Sequence, residues 1–447
     1  MPNTPQTQKE PICALATPSG RGALAVVRLS GDAALEIAKK LVKKTLRDRQ
    51  ATVTKFYNNN EIIDRGIAIY FKAPASYTGE DVVEFQCHGN PIISNLLINA
   101  LCEQGARMAT PGEFTLRAFL NNKIDLAQAE AIADLISCTT EKSVRTATRS
   151  LQGDFSHHIQ RLLERLISIR IHVEAHLDFP EEEIDVQKYE DIKSRIEEAK
   201  SELIKTQEKA QRGERLHTGA MIVIAGSPNV GKSSLINALA QSDVAIVTDL
   251  PGTTRDPLIA DVDINGVPVR LVDTAGLRRN TDNVIESIGI ERTQLVLSQA
   301  DIVLWLTDAS CEGKKQREEV ELPVNKCIWV HNKIDLISKQ AKSTGDDVYM
   351  SVKTGNGLNE LINTIAIKLY GEKQGDTPFL ARSRHLNALQ QTHEHLQHAY
   401  ERTRKKIDLE IVAEELRLAQ QALGGITGEF TADDLLGRIF SDFCIGK

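Results

Sequence analysis

The chemistry-bearing residues are densest around Gly226-Ser-Pro-Asn-Val-Gly231-Lys232-Ser233. This stretch follows the apolar run Met221–Ala225 and precedes the amphipathic start Leu235–Leu239. A glycine loop between strand and helix turns backbone N–H groups onto phosphate oxygens, and the helix N-terminus adds a favourable dipole. Lys232 would reach the β- and γ-phosphates, and Ser233 would ligate Mg²⁺. Chance alone gives such a four-position pattern in roughly one or two of a hundred chains this long. The loop therefore needs support from elsewhere in the chain.

That support comes in order. Val269–Val272 reads as a strand ending in Asp273-Thr274-Ala275-Gly276, where Asp273 can hold Mg²⁺ through water and the Gly276 N–H can sense a γ-phosphate. Asp301–Leu306 and Cys327–His331 read as two more strands, and the second leads into Asn332-Lys333-Ile334-Asp335. The Asp335 carboxylate can accept from guanine N1–H and the 2-amino group, donors that adenine lacks. Ser351-Val352-Lys353 fits the last guanine-contacting loop. The set selects GTP.

The nucleotide shell thus expected is Asn229, Val230, Gly231, Lys232, Ser233 and Ser234, then a switch loop of Thr248, Asp249, Leu250, Pro251, Gly252, Thr253 and Thr254. Asp273 to Gly276, Asn332 to Asp335 and Ser351 to Lys353 complete it. Thr254 is the second protein Mg²⁺ ligand beside Ser233. Where Ras-like GTPases carry a catalytic glutamine after Asp-x-x-Gly, this chain has Leu277, which cannot orient water. Another group must do so, and something must neutralise the leaving phosphate. Asn229 is an oxygen donor suited to a monovalent cation.

Around this α/β segment the texture changes. Residues 11–120 alternate β-rich runs (Ala23–Leu29, Ile67–Phe71, Val82–Gln86) with Gly/Pro punctuation and a helix near Ile92–Cys102, an α+β pattern. Val144, Ala147, Leu151, Phe155, Ile159, Leu162, Leu166, Ile169, Val173 and Leu177 form one stripe of a long helix, and a charged helix follows to about Arg215. Leu386–Tyr400 and Leu409–Leu423 restore the helical period. The fold expected is multidomain α+β. An N-terminal α+β domain (1–120) precedes a discontinuous all-α domain (121–217 and 373–447), split by an inserted Ras-like α/β P-loop G domain (218–372).

The 447 residues are 41% hydrophobic and 26% charged with net charge −7, a globular balance without the basic footprint of bulk nucleic-acid binding. No apolar run is long enough to span a membrane and Met1–Glu10 carries no signal-peptide core, so a cytoplasmic protein is expected. Seven dispersed cysteines without a Cys-x-x-Cys pair argue against a disulfide framework or zinc cluster; most read as small buried hydrophobes. His172 and His176, spaced i, i+4, lack a third ligand and read as a helix face.

Four stretches outside the G segment carry a family resemblance. They are Ala16-Thr-Pro-Ser-Gly-Arg-Gly22 with Arg28-Leu-Ser-Gly31, Tyr77-Thr-Gly-Glu-Asp-Val-Val-Glu-Phe-Gln-Cys-His-Gly89, Thr110-Pro-Gly-Glu-Phe114 through Asn122-Lys-Ile-Asp-Leu-Ala-Gln-Ala-Glu130, and the terminal Phe443-Cys-Ile-Gly-Lys447. Over essentially its whole length the chain resembles the bacterial MnmE (TrmE) family of tRNA modification GTPases. The resemblance implies a homodimer that closes across its nucleotide faces, with K⁺ replacing an arginine finger. Asn229, Thr248, Leu250 and Thr253 would hold K⁺, and Glu286 would orient water. It further implies a site for 5-formyl- or methylene-tetrahydrofolate at Arg28, Glu84, Lys123 and Lys447, with Cys444 beside the one-carbon unit. Catalysis would then rest on Glu286, Lys232 and Cys444. The expected partners are tRNA and the FAD-dependent protein MnmG, and the expected reaction modifies C5 of the wobble uridine. The rival reading is an Era-like ribosome-assembly GTPase; the residues after 372 offer no KH-type Gly-x-x-Gly loop for it.

Overall fold

The computed structural model describes residues 10–178, 186–241, 259–273, 297, 299–310, 326–337, 343–370, 378–405, 408–429, 433–441, 443 and 446. By packing they divide into two units, 1–133 with 423–447, and 134–422.

The first unit opens with β1 (Ile12–Leu15), β2 (Ala25–Ser30), α1 (Ala34–Val42), β3 (Thr52–Asn58), β4 (Glu61–Phe71) and β5 (Val82–Cys87). Next come α2 (Pro91–Glu103), β6 (Arg107–Met108), α3 (Glu113–Leu120) and the start of α4 (Leu126–Ser137). The strands form a mixed sheet ordered β3-β4-β5-β2-β1-β6. In β2 the alternation Ala25, Val27, Leu29 is buried while Val26 and Arg28 are half-buried, so one face meets α1 and α2 and the other carries Arg28. Phe56 and Phe85 meet edge to face at 5.6 Å in that core.

Under α3, Glu113 accepts from Arg107 Nη2 at 2.6 Å and Arg117 Nη2 at 3.0 Å, and Arg117 also holds Glu80 at 3.0 Å. Burial raises the Glu113 carboxyl, but Arg107, the Thr110 N–H and Arg117 outweigh it and hold the pKa at about 2 against an ordinary 4.5. A depressed carboxylate stabilises above its unfolded pKa and loses that contribution as pH falls from 4.5 toward 2. Glu113→Gln is expected to destabilise this unit by about 2–4 kcal/mol at neutral pH and to flatten the acid limb of unfolding. Denaturant titrations at pH 7 and pH 3.5 check both.

The second unit continues with α5 (Glu141–Leu151), α6 (Asp154–Asp178), α7 (Val186–Thr218), β7 (Ala220–Gly226), α8 (Lys232–Gln241), β8 (Ile259–Ile264) and β9 (Val267–Asp273). It then runs through β10 (Ile302–Asp308), β11 (Cys327–Asn332), β12 (Asp347–Tyr349), α9 (Leu358–Tyr370), α10 (Ser383–Lys405) and α11 (Leu409–Thr427, reaching into the first unit). The stripe from Val144 to Leu177 predicts one helix, yet α5 and α6 are separate. Gly153 breaks them at φ +94, a left-handed conformation that ends a helix. The β7 to β12 sheet is ordered β12-β11-β10-β7-β9-β8, parallel except for β8. Its strands are apolar on both faces, as a helix-covered parallel sheet requires, and Ile222, Leu304, Ile328 and Val348 share one core with Leu235 and Leu361. Gly219, at φ +73, passes α7 straight into β7.

The last helix, α12 (Asp433–Ser441), belongs to the first unit. Ile439, Phe440 and Phe443 are buried with Leu126 and Ala129, so the apolar stretch ending at Phe443 is part of a core. Among the described cysteines, Cys13, Cys87 and Cys327 are buried free thiols. No described helix is long and apolar enough to cross a membrane.

Candidate nucleotide and folate sites

The strand order places β7 between β9 and β10, and the loop leaving β7 opens at the carboxyl edge where the direction of winding reverses, the usual ligand crevice of such sheets. The loop needs its glycines for two different reasons. A Cβ on Gly226 would lie 2.3 Å from the Leu306 carbonyl oxygen, so β7 and β10 could not approach; one on Gly231 would lie 2.5 Å from Asn332 Nδ2. Asn229, exposed at the loop tip, is left-handed at φ 66. Lys232 is buried, and its Nζ donates to the carbonyls of Gly226 and Ser227, each at 2.9 Å. Those bonds hold the ammonium over the loop. Ser233 and Ser234 follow, exposed, in the first turn of α8.

Asn332 joins the loop to the base-recognition segments. It is 4% exposed, its Nδ2 donates to Val230 O at 2.8 Å, and its Oδ1 accepts from Val352 N at 3.0 Å. Lys333, left-handed at φ 68, sends Nζ to Asp308 Oδ2 at 2.7 Å. Burial raises the Asp308 carboxyl, but Lys333 and Ser310 more than compensate and hold it below the usual range. Ile334 N donates to Met350 O at 3.2 Å. Ser351 Oγ donates to Asp335 Oδ1 at 2.6 Å, so the exposed carboxylate is aimed from below. Val352 and Lys353 complete that turn, and Asp273 ends β9 with 1% exposure. Asp308 was missed from sequence; its only signal was an acid at the carboxyl end of a buried strand. These residues fit a guanine nucleotide and the Mg²⁺ that Ser233 would hold.

The expected folate residues Arg28 and Glu84 lie directly opposite each other on β2 and β5. Arg28 donates to Glu84 Oε1 from Nη2 at 2.8 Å and Nε at 3.0 Å, with both side chains 19% exposed. The guanidinium lies 5.1 Å from the Tyr77 ring centre and 5.7 Å from that of Phe114, two flat faces the sequence did not single out. Lys123 donates to Pro74 O at 3.0 Å, away from that pair's bonds, though its stem lies against Gly79. Gly446 packs on the backbone of Leu15 and Ala16, and Ala14 pairs with Arg28 in the sheet. The chain's end thus returns to the strand beside Arg28. A half-buried carboxylate, a guanidinium and ring faces suit a flat heterocycle with an amide-like edge.

Thr248 to Thr254, Thr274 to Gly276, Glu286, Cys444 and Lys447 lie outside the described residues. Of the residues expected to hold K⁺, Asn229 alone is described.

Comparison with known proteins agrees over nearly the whole length. The family described as MnmE helical domain matches residues 126–444, and that described as GTP-binding protein TrmE N-terminus matches 11–123. A tRNA modification GTPase MnmE of Francisella tularensis subsp. holarctica (strain LVS) is 47% identical over 452 residues, spanning 98% of this chain and 99% of that protein. The MnmE of Francisella philomiragia subsp. philomiragia is 45% identical over the same shares. The G domain of the T. maritima FeoB iron transporter covers 33% of this chain and 98% of its own at 28% identity, with a TM-score of 0.25. With family models covering residues 11–123 and 126–444 and 47% identity over 98% of its length, this chain is a member of the MnmE (TrmE) family of tRNA modification GTPases.

Proposed function

We propose that the chain is a GTP hydrolase of tRNA modification that is stimulated by K⁺. Working with the FAD-dependent partner MnmG, it would modify C5 of the wobble uridine in certain tRNAs, placing an aminomethyl- or carboxymethylaminomethyl-type group. A tetrahydrofolate, 5-formyl or methylene, supplies the one-carbon unit when bound. The N-terminal domain (1–120) holds folate and dimerises, the split helical domain (121–217, 373–447) carries the inserted G domain (218–372), and the protein works as a cytoplasmic homodimer.

The observation that carries this reading is the linked P-loop and base loop: Lys232 held on Gly226 and Ser227, and Asn332 bridging Val230 to Val352. Lys232 draws charge from the transferring phosphoryl group, Ser233 and Thr254 hold Mg²⁺, and Asp335 reads guanine. Leu277 in place of glutamine leaves water orientation to Glu286. K⁺ supplies positive charge near the leaving phosphate when bound. Asn229, with Thr248, Leu250 and Thr253, holds that ion, and the exposed left-handed Asn229 leaves its carbonamide at the loop tip. At the other site Arg28 suits the anionic tail of folate and Glu84 its amide-like edge; Lys123 and Lys447 add charge, and Cys444 stands beside the one-carbon unit.

GTP hydrolysis at matched ionic strength in KCl and NaCl, with Asn229→Ala beside the unaltered chain, tests the cation step. The expected result is a K⁺-specific rate on the order of 10-fold or more above NaCl, lost in the variant. An arginine finger doing the same work gives about 10³–10⁵. Equal rates in the two salts would leave a GTPase without cation activation.

A further inference from the structure

The helical pair α10 and α11 carries a cluster that neither the nucleotide site nor the folate site uses. His395 and His398 are three residues apart on α10 and so lie on one face; Glu415 reaches them from α11. The helices run antiparallel, with Thr392 Oγ1 3.5 Å from Ala419 O in the buried seam and His395 beside Glu415 one turn further. His395 Nδ1 lies 2.7 Å from Glu415 Oε2, and His398 Nδ1 lies 3.8 Å from Glu415 Oε1. The three potential ligand atoms lie within 4.8 Å of one another.

We propose that His395, His398 and Glu415 form a site for a borderline transition-metal ion, Zn²⁺ in type, that clamps α10 to α11. Ligand atoms around tetrahedral Zn²⁺, bonded at about 2.0–2.1 Å, stand roughly 3.3 Å apart. The distances from His395 and His398 to the two Glu415 oxygens, 2.7 Å and 3.8 Å, straddle that value, and all three ligand atoms lie within 4.8 Å of one another, a gap that side-chain torsions can close. A simple ion pair accounts for His395 and Glu415. It does not account for a second imidazole whose Nδ1 faces the other oxygen of the same carboxylate, beyond hydrogen-bond reach. Two imidazoles and one carboxylate suit Zn²⁺, Co²⁺ or Ni²⁺ and not Mg²⁺, which prefers oxygen shells, so the ion differs from the one GTP brings. His398 is 61% exposed while His395 and Glu415 are 29% and 20%, which leaves an entry path and a fourth position for water. Glu394, one turn before His398, accepts instead from Gln390 Nε2 at 2.9 Å and stays out of the set. The rival His172 and His176 pair is poorer. There His176 Nδ1 is taken up by the His172 carbonyl at 2.6 Å, and Asp191, 3.6 Å from His172 Nε2, already accepts from Arg195 Nε at 2.7 Å.

The full chain, freed of metal by chelation and kept in excess Mg²⁺, is titrated with Co²⁺ and separately with Zn²⁺. Expected are one Co²⁺ per chain at micromolar concentration with a visible ligand-field band, displacement of that band by Zn²⁺, and an unfolding temperature raised by a few degrees with Zn²⁺. His398→Ala, an exposed change that leaves the fold intact, should weaken binding by about 100-fold and abolish the shift, and Glu415→Gln should do the same. Binding only near millimolar concentration would mark an adventitious ion only, and stoichiometric binding retained in His398→Ala would put the ion elsewhere. Either result overturns the site. Far-UV circular dichroism of each metal-free variant shows that a loss is not unfolding.

Discussion

Asp335→Asn is expected to weaken GTP by at least about 10³-fold while creating affinity for xanthosine triphosphate. Guanine offers two donors to the site, N1–H and the 2-amino group, and a carboxylate accepts both with charge assistance. An asparagine keeps one acceptor and adds a donor, which then faces the 2-amino group, donor against donor. Sites built to hydrogen-bond a group discriminate by about 10⁴–10⁵ against the analogue that leaves them unpaired. Xanthine carries a carbonyl where guanine carries the amine, so the new donor finds an acceptor while N1–H keeps its own. The local frame favours a clean exchange. Asp335 is exposed, and its Oδ1 is positioned by Ser351 Oγ at 2.6 Å, a hydroxyl that can donate or accept and so serves the amide as well. Thermal stability without nucleotide should be unchanged within about 0.5 kcal/mol, as for most exposed substitutions. Competition of GTP and XTP for a fluorescent nucleotide checks the exchange. Equal loss of both, with no gain of XTP, would make Asp335 a support of the Ser351 turn and not the base reader.

Much of the nucleotide site was legible because its chemistry is local. Met221–Ala225, Val269–Val272 and Cys327–His331 each fall within a β-strand of the structure, and Asp301–Leu306 starts one residue ahead of its strand, since a buried parallel strand reads as an unbroken apolar run between turn residues. Among the described residues, Lys232 lies past β7, at the start of α8, and Asn332 at the end of β11, as that reading expects. What the sequence could not give is how the motifs brace one another. Asn332 reads as part of a base-recognition motif, but its two bonds reach Val230 and Val352, at 102 and 20 residues' separation. Asp308 is likewise tied to Lys333 across neighbouring strands, a pairing that only the β10–β11 register reveals. The long apolar stripe misled for the opposite reason: periodicity carries through a break of two residues, and Gly153 is the one local sign of it. At the chain's end, Phe440 and Phe443 pack with Leu126 and Ala129, some 300 residues earlier, a contact that periodicity does not carry. In the N-terminal unit, Arg28 and Glu84 came from family resemblance. Their direct pairing and the rings of Tyr77 and Phe114 beside them are properties of the sheet.

Gly231→Ala is expected to lower GTP affinity by more than about 100-fold, and it separates two reasons for the glycine. The first is conformational: at φ +102 an L side chain is strained, by about 1–3 kcal/mol. The second is contact, because the added methyl would lie 2.5 Å from Asn332 Nδ2. That amide cannot give way cheaply. It is buried, it donates to Val230 O at 2.8 Å, and its Oδ1 accepts from Val352 N at 3.0 Å. Displacing it strands groups at both ends, at about 1–3 kcal/mol each. The phosphate loop and the guanine loop would therefore loosen together, although the substitution is made only in the former. Asn332→Ala alone removes both bonds but leaves the loop its glycine, and its affinity loss should be smaller. In the double variant the methyl meets no amide, so Gly231→Ala should do less further harm there than in the unaltered chain. The coupling between the two changes is expected to be about 1–2 kcal/mol, read from GTP binding by calorimetry across the four proteins. Strict additivity would mean that backbone strain at Gly231 accounts for the whole effect, and that Asn332 braces the base loop without constraining the phosphate loop.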